Sequence, residues 1–218
     1  MSDRSEPLLR HAPATFHGRF LVDVPPAPAQ PSCWLVGFHG YAQSAQIFLP
    51  SLTQAPRSNA WLVTAVQAPH PFYTRGDRAI VANWMTREDR QTDIDNYINY
   101  LDTVYTHVLA GNSVPVTLFG FSQGCATVCR WAIDGHPEFH RLILWAGLFP
   151  PDMDFEKGHD ILFTKENYMI IGDQDPFLTP ERMNEFDQLA AKLNIQPTKL
   201  TFPGKHELNL ELIQQFAR

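Results

Sequence analysis

Val116-Thr117-Leu118-Phe119-Gly120-Phe121-Ser122-Gln123-Gly124-Cys125-Ala126-Thr127-Val128-Cys129 joins an apolar run to a helical pattern with no loop between them. The run from Val114 to Phe121 reads as a buried strand and Gln123 to Asp134 as a helix. A strand that turns at once into a helix strains the corner residue, here Ser122, and the small neighbours Gly120 and Gly124 let the chain come close there. The corner lifts the serine oxygen to the carboxyl edge of the sheet. The amide of Gln123 then lies at the positive end of the helix, where a developing oxyanion can be held. A Gly-x-Ser-x-Gly pattern arises by chance in a chain of this length at roughly one in fifteen, so its weight comes from the strand before it and the helix after it.

The rest of the chain fits an α/β domain. With 218 residues, 44% of them hydrophobic and 18% charged, one domain spanning 1–218 can bury a core without disulfides or a structural metal, with residues 1–13 as a flexible amino end. A net charge of −6 and scattered Lys and Arg argue against nucleic acid as a partner. The charged start Met1-Ser2-Asp3-Arg4-Ser5-Glu6 lacks the apolar centre of a secretion signal, and no apolar stretch reaches the roughly 20 residues of a spanning helix. A cytoplasmic protein with no integral membrane association is expected. Cys33, Cys125 and Cys129 lie in apolar runs and read as packing residues, since no His or Cys spacing completes a metal set.

Strands alternate with helices. Thr15 to Val24 and Ser32 to Phe38 read as a hairpin-like opening joined through Pro25-Pro26-Ala27-Pro28. Ala60 to Val66, Val114 to Phe121, Leu142 to Ala146, Tyr168 to Ile171 and Lys199 to Phe202 read as parallel strands covered on both faces. A helix carries Ile94, Tyr97, Ile98, Leu101, Val104, Tyr105, Val108 and Leu109 on one face and stops at Gly111. Another opens at Thr179-Pro180, and a short one runs from Leu208 to Phe216. This order implies a three-layer sandwich around a mostly parallel sheet.

A serine hydroxyl needs a base to take its proton, and the base needs an acid to fix its tautomer. His206, in the loop after the Lys199 to Phe202 strand, is the only histidine beyond the next clear strand end after Ser122. The acid belongs just past Ile171, in Gly172-Asp173-Gln174-Asp175-Pro176, where both carboxylates are candidates. Asp175 is preferred because it lies further into the loop, while Asp173 suits a turn residue. The early strand ends in Phe38-His39-Gly40-Tyr41, which makes the Tyr41 amide the second oxyanion donor beside that of Gln123. His39 precedes the nucleophile and reads as a hydrogen-bonded residue that shapes this loop. Large apolar side chains in two apparent loops, 69–89 and 148–167, give Phe72, Met85 and Phe149 as pocket walls.

The His39-Gly40 turn, Gly120-Phe121-Ser122-Gln123-Gly124, Gly172 with Asp173 and Asp175, and Gly204 with His206 resemble the phospholipase/carboxylesterase group of α/β-hydrolases, which includes the acyl-protein thioesterases. The resemblance spans Ser32 to Phe216 and implies an α/β-hydrolase fold and cofactor-free cleavage of carboxylic esters or thioesters. It implies a Ser122, Asp175, His206 triad, with the Tyr41 and Gln123 amides as oxyanion donors. Asn83-Trp84 resembles the family's tryptophan segment, which adds Trp84 to the acyl pocket. Ala42-Gln43 stands where the family often has Gly-Asp, and the stretch after Trp84, Met85-Thr86-Arg87-Glu88-Asp89, is more polar than the wall of a long lipid channel. The expected protein is a serine carboxylesterase acting on small-molecule esters of short or medium acyl chains, without metal or organic cofactor. The alternatives are a thioesterase or lysophospholipase with the same triad, and a silent fold relative that only binds.

Overall fold

Alternation of the strand residues between two apolar layers organises the computed structural model, which describes residues 8–24, 31–53, 61–108 and 114–217. Its elements in chain order are β1 (Phe20–Asp23), β2 (Cys33–Phe38), α1 (Ala45–Thr53), β3 (Trp61–Val66), β4 (His70–Tyr73), β5 (Ile80–Asn83), α2 (Arg90–Val108), β6 (Val116–Phe121), α3 (Gln123–Asp134), β7 (Arg141–Trp145), α4 (Phe155–Leu162), β8 (Glu166–Gly172), α5 (Pro180–Lys192), β9 (Thr198–Phe202) and α6 (Leu210–Gln214). Seven strands form one sheet in the order β1-β3-β2-β6-β7-β8-β9, parallel except for β1. Trp34, Val36, Phe38, Val116 and Leu118 face one layer, with Tyr97 and Leu101 of α2, Val128 and Trp131 of α3, Leu162 of α4, and Phe186 and Leu189 of α5. Leu35, Phe119 and Phe121 face the other, with Phe48 and Leu52 of α1 and Ile213 of α6. The expected three-layer sandwich is therefore present, and burial on both faces explains why the central strands read as continuous apolar runs. Among the described residues no helix is long and apolar enough to cross a membrane.

Four local expectations change. The first strand is shorter than expected and pairs antiparallel with β3, so β1 and β2 are not hairpin neighbours. Residues leading into β1 run along α2 instead, where the Tyr100 hydroxyl donates to the Arg19 carbonyl (2.7 Å) and the Phe16 and Tyr100 rings meet at 5.3 Å. The connector Pro25-Pro26-Ala27-Pro28 and the expected helix stop at Gly111 lie outside the described residues. The apparent loop 69–89 contains the β4–β5 hairpin, a separate two-stranded sheet. The apparent loop 148–167 contains α4, whose start is capped by the Asp154 carboxylate accepting from the Lys157 amide (3.0 Å).

Two residues fasten the region that will carry the site. Gly124 presses the first turn of α3 against the end of β2, where an added Cβ would lie 2.1 Å from the Phe38 carbonyl oxygen. His39 is fully buried; one ring nitrogen, Nδ1, contacts the Gly40 carbonyl (2.8 Å) and the other, Nε2, accepts from the Ala68 amide (3.1 Å). Those partners require a proton on Nδ1 and a lone pair on Nε2, which is a neutral imidazole. Burial lowers its pKa to about 4, opposed by the bond to Gly40.

Gly124→Ala should lower stability by about 2 kcal/mol or more, because a clash with backbone outweighs the gain of about 1 kcal/mol in helix propensity. A urea midpoint equal to or above wild type would contradict that packing. For His39 the unfolded chain takes up its proton first as pH falls from 6.5 towards 4, so stability present above pH 6.5 is lost across that window. The loss amounts to about 3 kcal/mol. Urea unfolding at several pH values should show a shallower acid decline in His39→Gln than in wild type, and parallel declines would contradict the assignment.

Candidate active site

The β6–α3 corner sets the site. Ser122 adopts φ 53° and ψ −115°, a left-handed backbone that a residue with a Cβ occupies at a cost of about 1–3 kcal/mol. Neighbouring bonds hold it: the Ser122 amide donates to the Trp145 carbonyl of β7 (2.9 Å), and its own carbonyl accepts from the Cys125 amide (3.0 Å). The Cys125 thiol, buried beneath, donates to the Gly120 and Trp145 carbonyls (3.1 and 3.3 Å). All three cysteines are buried and free, in keeping with packing roles.

His206 brings Nε2 to 2.8 Å from Ser122 Oγ and Nδ1 to 2.7 Å from Asp175 Oδ2. A carboxylate only accepts, so Nδ1 carries the proton and Nε2 offers its lone pair to the serine hydroxyl. The Asp175 side chain is fully buried, and its second oxygen accepts from the Phe177 amide (2.9 Å). Phe121 and Phe177 flank the imidazole with ring centroids at 5.2 and 4.7 Å. The Trp145 indole donates to the Glu207 carbonyl (2.8 Å) and ties the histidine loop to β7. Asp173 stands apart, accepting from the Gly204 amide (3.1 Å), so it joins the β8 and β9 loops as a turn carboxylate.

Gln123 is the first residue of α3, and the first amides of a helix have no intrahelical acceptor. Its side chain donates to Asn83 Oδ1 (2.6 Å) and fixes the corner to the end of β5. Opposite lies the turn after β2, where a Cβ at Gly40 would approach Ser122 Cβ to 3.2 Å. A larger residue there would crowd the serine and oblige its neighbours to shift by a few tenths of an ångström. Gln43 stabilises it by accepting from the Gly40 amide through Oε1 (2.8 Å), while Ala42 takes φ 57° and donates to the Ala82 carbonyl (3.1 Å). Tyr41 therefore sits at the rim, 60% exposed, with its ring 5.7 Å from that of Phe72.

A cavity of about 580 Å3 opens beside Ser122, His206 and Gln123. Tyr41 and Phe149 line it, with Leu148 and Leu178. The other three expected wall residues do not. Trp84 is fully buried in the core because its indole donates to the His39 carbonyl (2.9 Å) between the Phe38 and Tyr97 rings. Met85 packs against the same core, with its sulfur 3.9 Å from Arg130 Nη1, and Phe72 belongs to β4. Sequence reasoning missed Ala126, Arg130, Phe177 and Arg182, all of which line the cavity. The i, i+4 spacing of Ser122, Ala126 and Arg130 was the available signal for the first two. A second space of about 360 Å3 is also lined by His206, with Gln43, Ser51, Glu207 and Leu210. Among the described residues no cluster of His, Cys, Asp or Glu could hold a metal ion.

Known proteins share this arrangement of elements. The chain superposes on acyl-protein thioesterase 2 of Zea mays with a TM-score of 0.66 at 16% identity, over 92% of this chain and 96% of that one. It superposes on esterase PE8 at 0.65 and 20% identity, over 92% and 95%. A phospholipase/carboxylesterase from Dyadobacter fermentans gives 0.59 at 17% identity, over 95% and 99%. At these identities the likeness is one of fold, that of the α/β-hydrolases. No curated protein matches the chain in sequence. The profile of the serine hydrolase (FSH1) family matches residues 34–208, from β2 through the His206 loop, and the chain belongs to that family of serine hydrolases.

Proposed function

We propose that the chain, as a single α/β-hydrolase domain, hydrolyses carboxylic esters of short or medium acyl chains through an acyl-enzyme. The observation that carries the reading is the chain of two hydrogen bonds from buried Asp175 through His206 to Ser122 at the mouth of the cavity. Ser122 Oγ attacks the ester carbonyl while His206 Nε2 takes the hydroxyl proton. Asp175 keeps the proton on Nδ1 and stabilises the imidazolium that forms. The amides of Tyr41 and Gln123 receive the tetrahedral oxyanion. The imidazolium then protonates the leaving alkoxide, and the same histidine deprotonates the water that releases the acid.

Both spaces are lined by His206, and we assign the acyl group to the larger, which Ser122 also lines, and the alcohol to the smaller. A cavity of about 580 Å3 has room for a short or medium acyl chain.

With 4-nitrophenyl esters of increasing acyl length, turnover should peak at short or medium chains and be lost in Ser122→Ala by a factor of about 10⁶, the order seen when a triad serine is removed. Residual turnover within tenfold of wild type in that variant would sink the proposal. Asp175→Asn should lower kcat by roughly 10⁴ because the histidine loses its tautomer partner, and Asp173→Asn should have a far smaller effect. The opposite ranking would reassign the acid. Tyr41→Phe should leave kcat nearly unchanged, whereas Tyr41→Pro, which deletes the amide hydrogen, should cost about 10² to 10³ with the circular dichroism spectrum retained. A large loss in Tyr41→Phe with little in Tyr41→Pro would move the donor from backbone to hydroxyl.

A further inference from the structure

The two amides proposed for the oxyanion come from distant parts of the chain, Tyr41 from the turn after β2 and Gln123 from the start of α3. Both can serve only if they lie within hydrogen-bond reach of one oxygen. Three consecutive residues, the last two of β5 and the one after it, reach both segments. Ala82 pairs with the turn through both of its backbone groups: its amide donates to the Gln43 carbonyl (2.6 Å) and its carbonyl accepts from the Ala42 amide (3.1 Å). Across the hairpin Ala82 stands opposite Pro71, which has no N–H to donate, so both polar groups of Ala82 are free for the turn. Asn83 accepts from the Gln123 side chain (2.6 Å), and the Trp84 indole donates to the His39 carbonyl (2.9 Å) where the turn begins.

Backbone donors fix the sense of the bond between Asn83 and Gln123. The Trp84 amide faces Gln123 Oε1 and the Met85 amide faces Asn83 Oδ1, each at 3.4 Å. An N–H calls for an oxygen, so Gln123 must turn its NH2 to Asn83, and Asn83 its carbonyl to Gln123. Reversing either side-chain amide would set oxygen against oxygen or N–H against N–H. The tether matters because the corner beside it is strained: Ser122 holds φ 53°, and such a backbone persists only where its surroundings over-determine it. A Gln123 side chain anchored at its far end restrains the residue whose amide must stay aimed.

The structure assigns Asn83 the role of a positioning residue: together with Ala82 it makes the end of β5 a spacer that sets the gap between the Tyr41 and Gln123 amides. Asn83 acts on the reaction through Gln123 and touches no substrate, and this inference rests on the esterase reading. Asn83 is not among the residues that line either space beside His206, so binding of the ester should not depend on it. What depends on it is the aim of one donor, and a misplacement of about 1 Å can cost on the order of 10² in rate.

The test compares wild type, Asn83→Leu, Gln123→Met and the double variant, measuring kcat and KM with 4-nitrophenyl butyrate and the inhibition constant of a trifluoromethyl ketone of matching length. Ser122 Oγ adds to the ketone carbon, the hydroxyl proton passes to His206 Nε2, and the former carbonyl oxygen is left as an anion between the two amides. The ketone therefore reads the oxyanion site without turnover. Asn83→Leu should lower kcat by about ten- to a hundredfold with KM nearly unchanged, and should weaken the ketone by a similar factor. Gln123→Met keeps its backbone amide and loses only the tether, so it should match Asn83→Leu, and the double variant should be no worse than either alone. A residue that merely braced the fold would lower the urea midpoint and leave kcat and the ketone unmoved. If Asn83→Leu does not fold, Gln123→Met, which leaves β5 intact, decides the matter. A kcat near that of wild type in the folded variants, a rise in KM alone, or losses that multiply in the double variant overturns the assignment of Asn83 and leaves the esterase standing. Wild type that turns over no ester overturns both.

Discussion

The left-handed backbone at Ser122 is the constraint on which the rest of the site depends. A strand cannot pass into a helix within one residue unless that residue leaves the ordinary regions of φ and ψ, and the energy that requires must be supplied by packing around it. Here it is supplied from both sides. Gly124 lets α3 sink against the carbonyl end of β2, and the Trp145 carbonyl of β7 takes the Ser122 amide. The same corner lifts the hydroxyl out of the sheet and presents the first free amide of α3 beside it. Loops from β2, β8 and β9 then need only reach one point, and they do so because all three strands are parallel to β6 and end on the same edge.

Electrostatics divides the polar groups beneath that edge by what their partners permit. His39 and His206 are both hydrogen-bonded through both ring nitrogens, yet their surroundings differ. His39 meets only backbone groups in a desolvated pocket, which holds it neutral and makes it part of the scaffold under the Gly40 turn. His206 meets a buried carboxylate on one side and a hydroxyl on the other, which suits the proton transfers that the proposed mechanism asks of it. Asp173 and Asp175 divide in the same way two residues apart, one at a solvent-facing loop junction and the other with its side chain out of water beneath the imidazole.

The sheet was legible because strands buried on both faces leave unbroken apolar runs, and α2, α3 and α5 because each has an apolar face long enough to repeat. What escaped were elements without that repetition. Helix α1 carries Pro50 in its middle, α4 is short and holds Gly158 among charged residues, and β4 and β5 cover only four residues each. The extent of β1 was overread because an apolar alternation cannot reveal that Phe16 packs on Tyr100 of α2, short of the residues that pair with β3. At the site, chain order and strand ends were enough to bring Ser122, Asp175 and His206 forward. The pocket was less legible, since whether an aromatic residue in an irregular segment faces a cavity or the core depends on its partner. Trp84 turns inward to the His39 carbonyl, and Arg130 is among the cavity's lining residues although its helix face otherwise reads as core.

The central claim is that Ser122 is a nucleophile primed by this geometry, and covalent capture examines it with fewest assumptions about substrate. Treatment with a small organophosphonate, followed by intact-mass measurement and peptide mapping, should give one adduct, on the peptide that contains Ser122. The adduct should be absent from Ser122→Ala. Protein that stays unmodified while a control serine esterase in the same tube is fully labelled, or that is modified elsewhere with Ser122 free, would contradict the account.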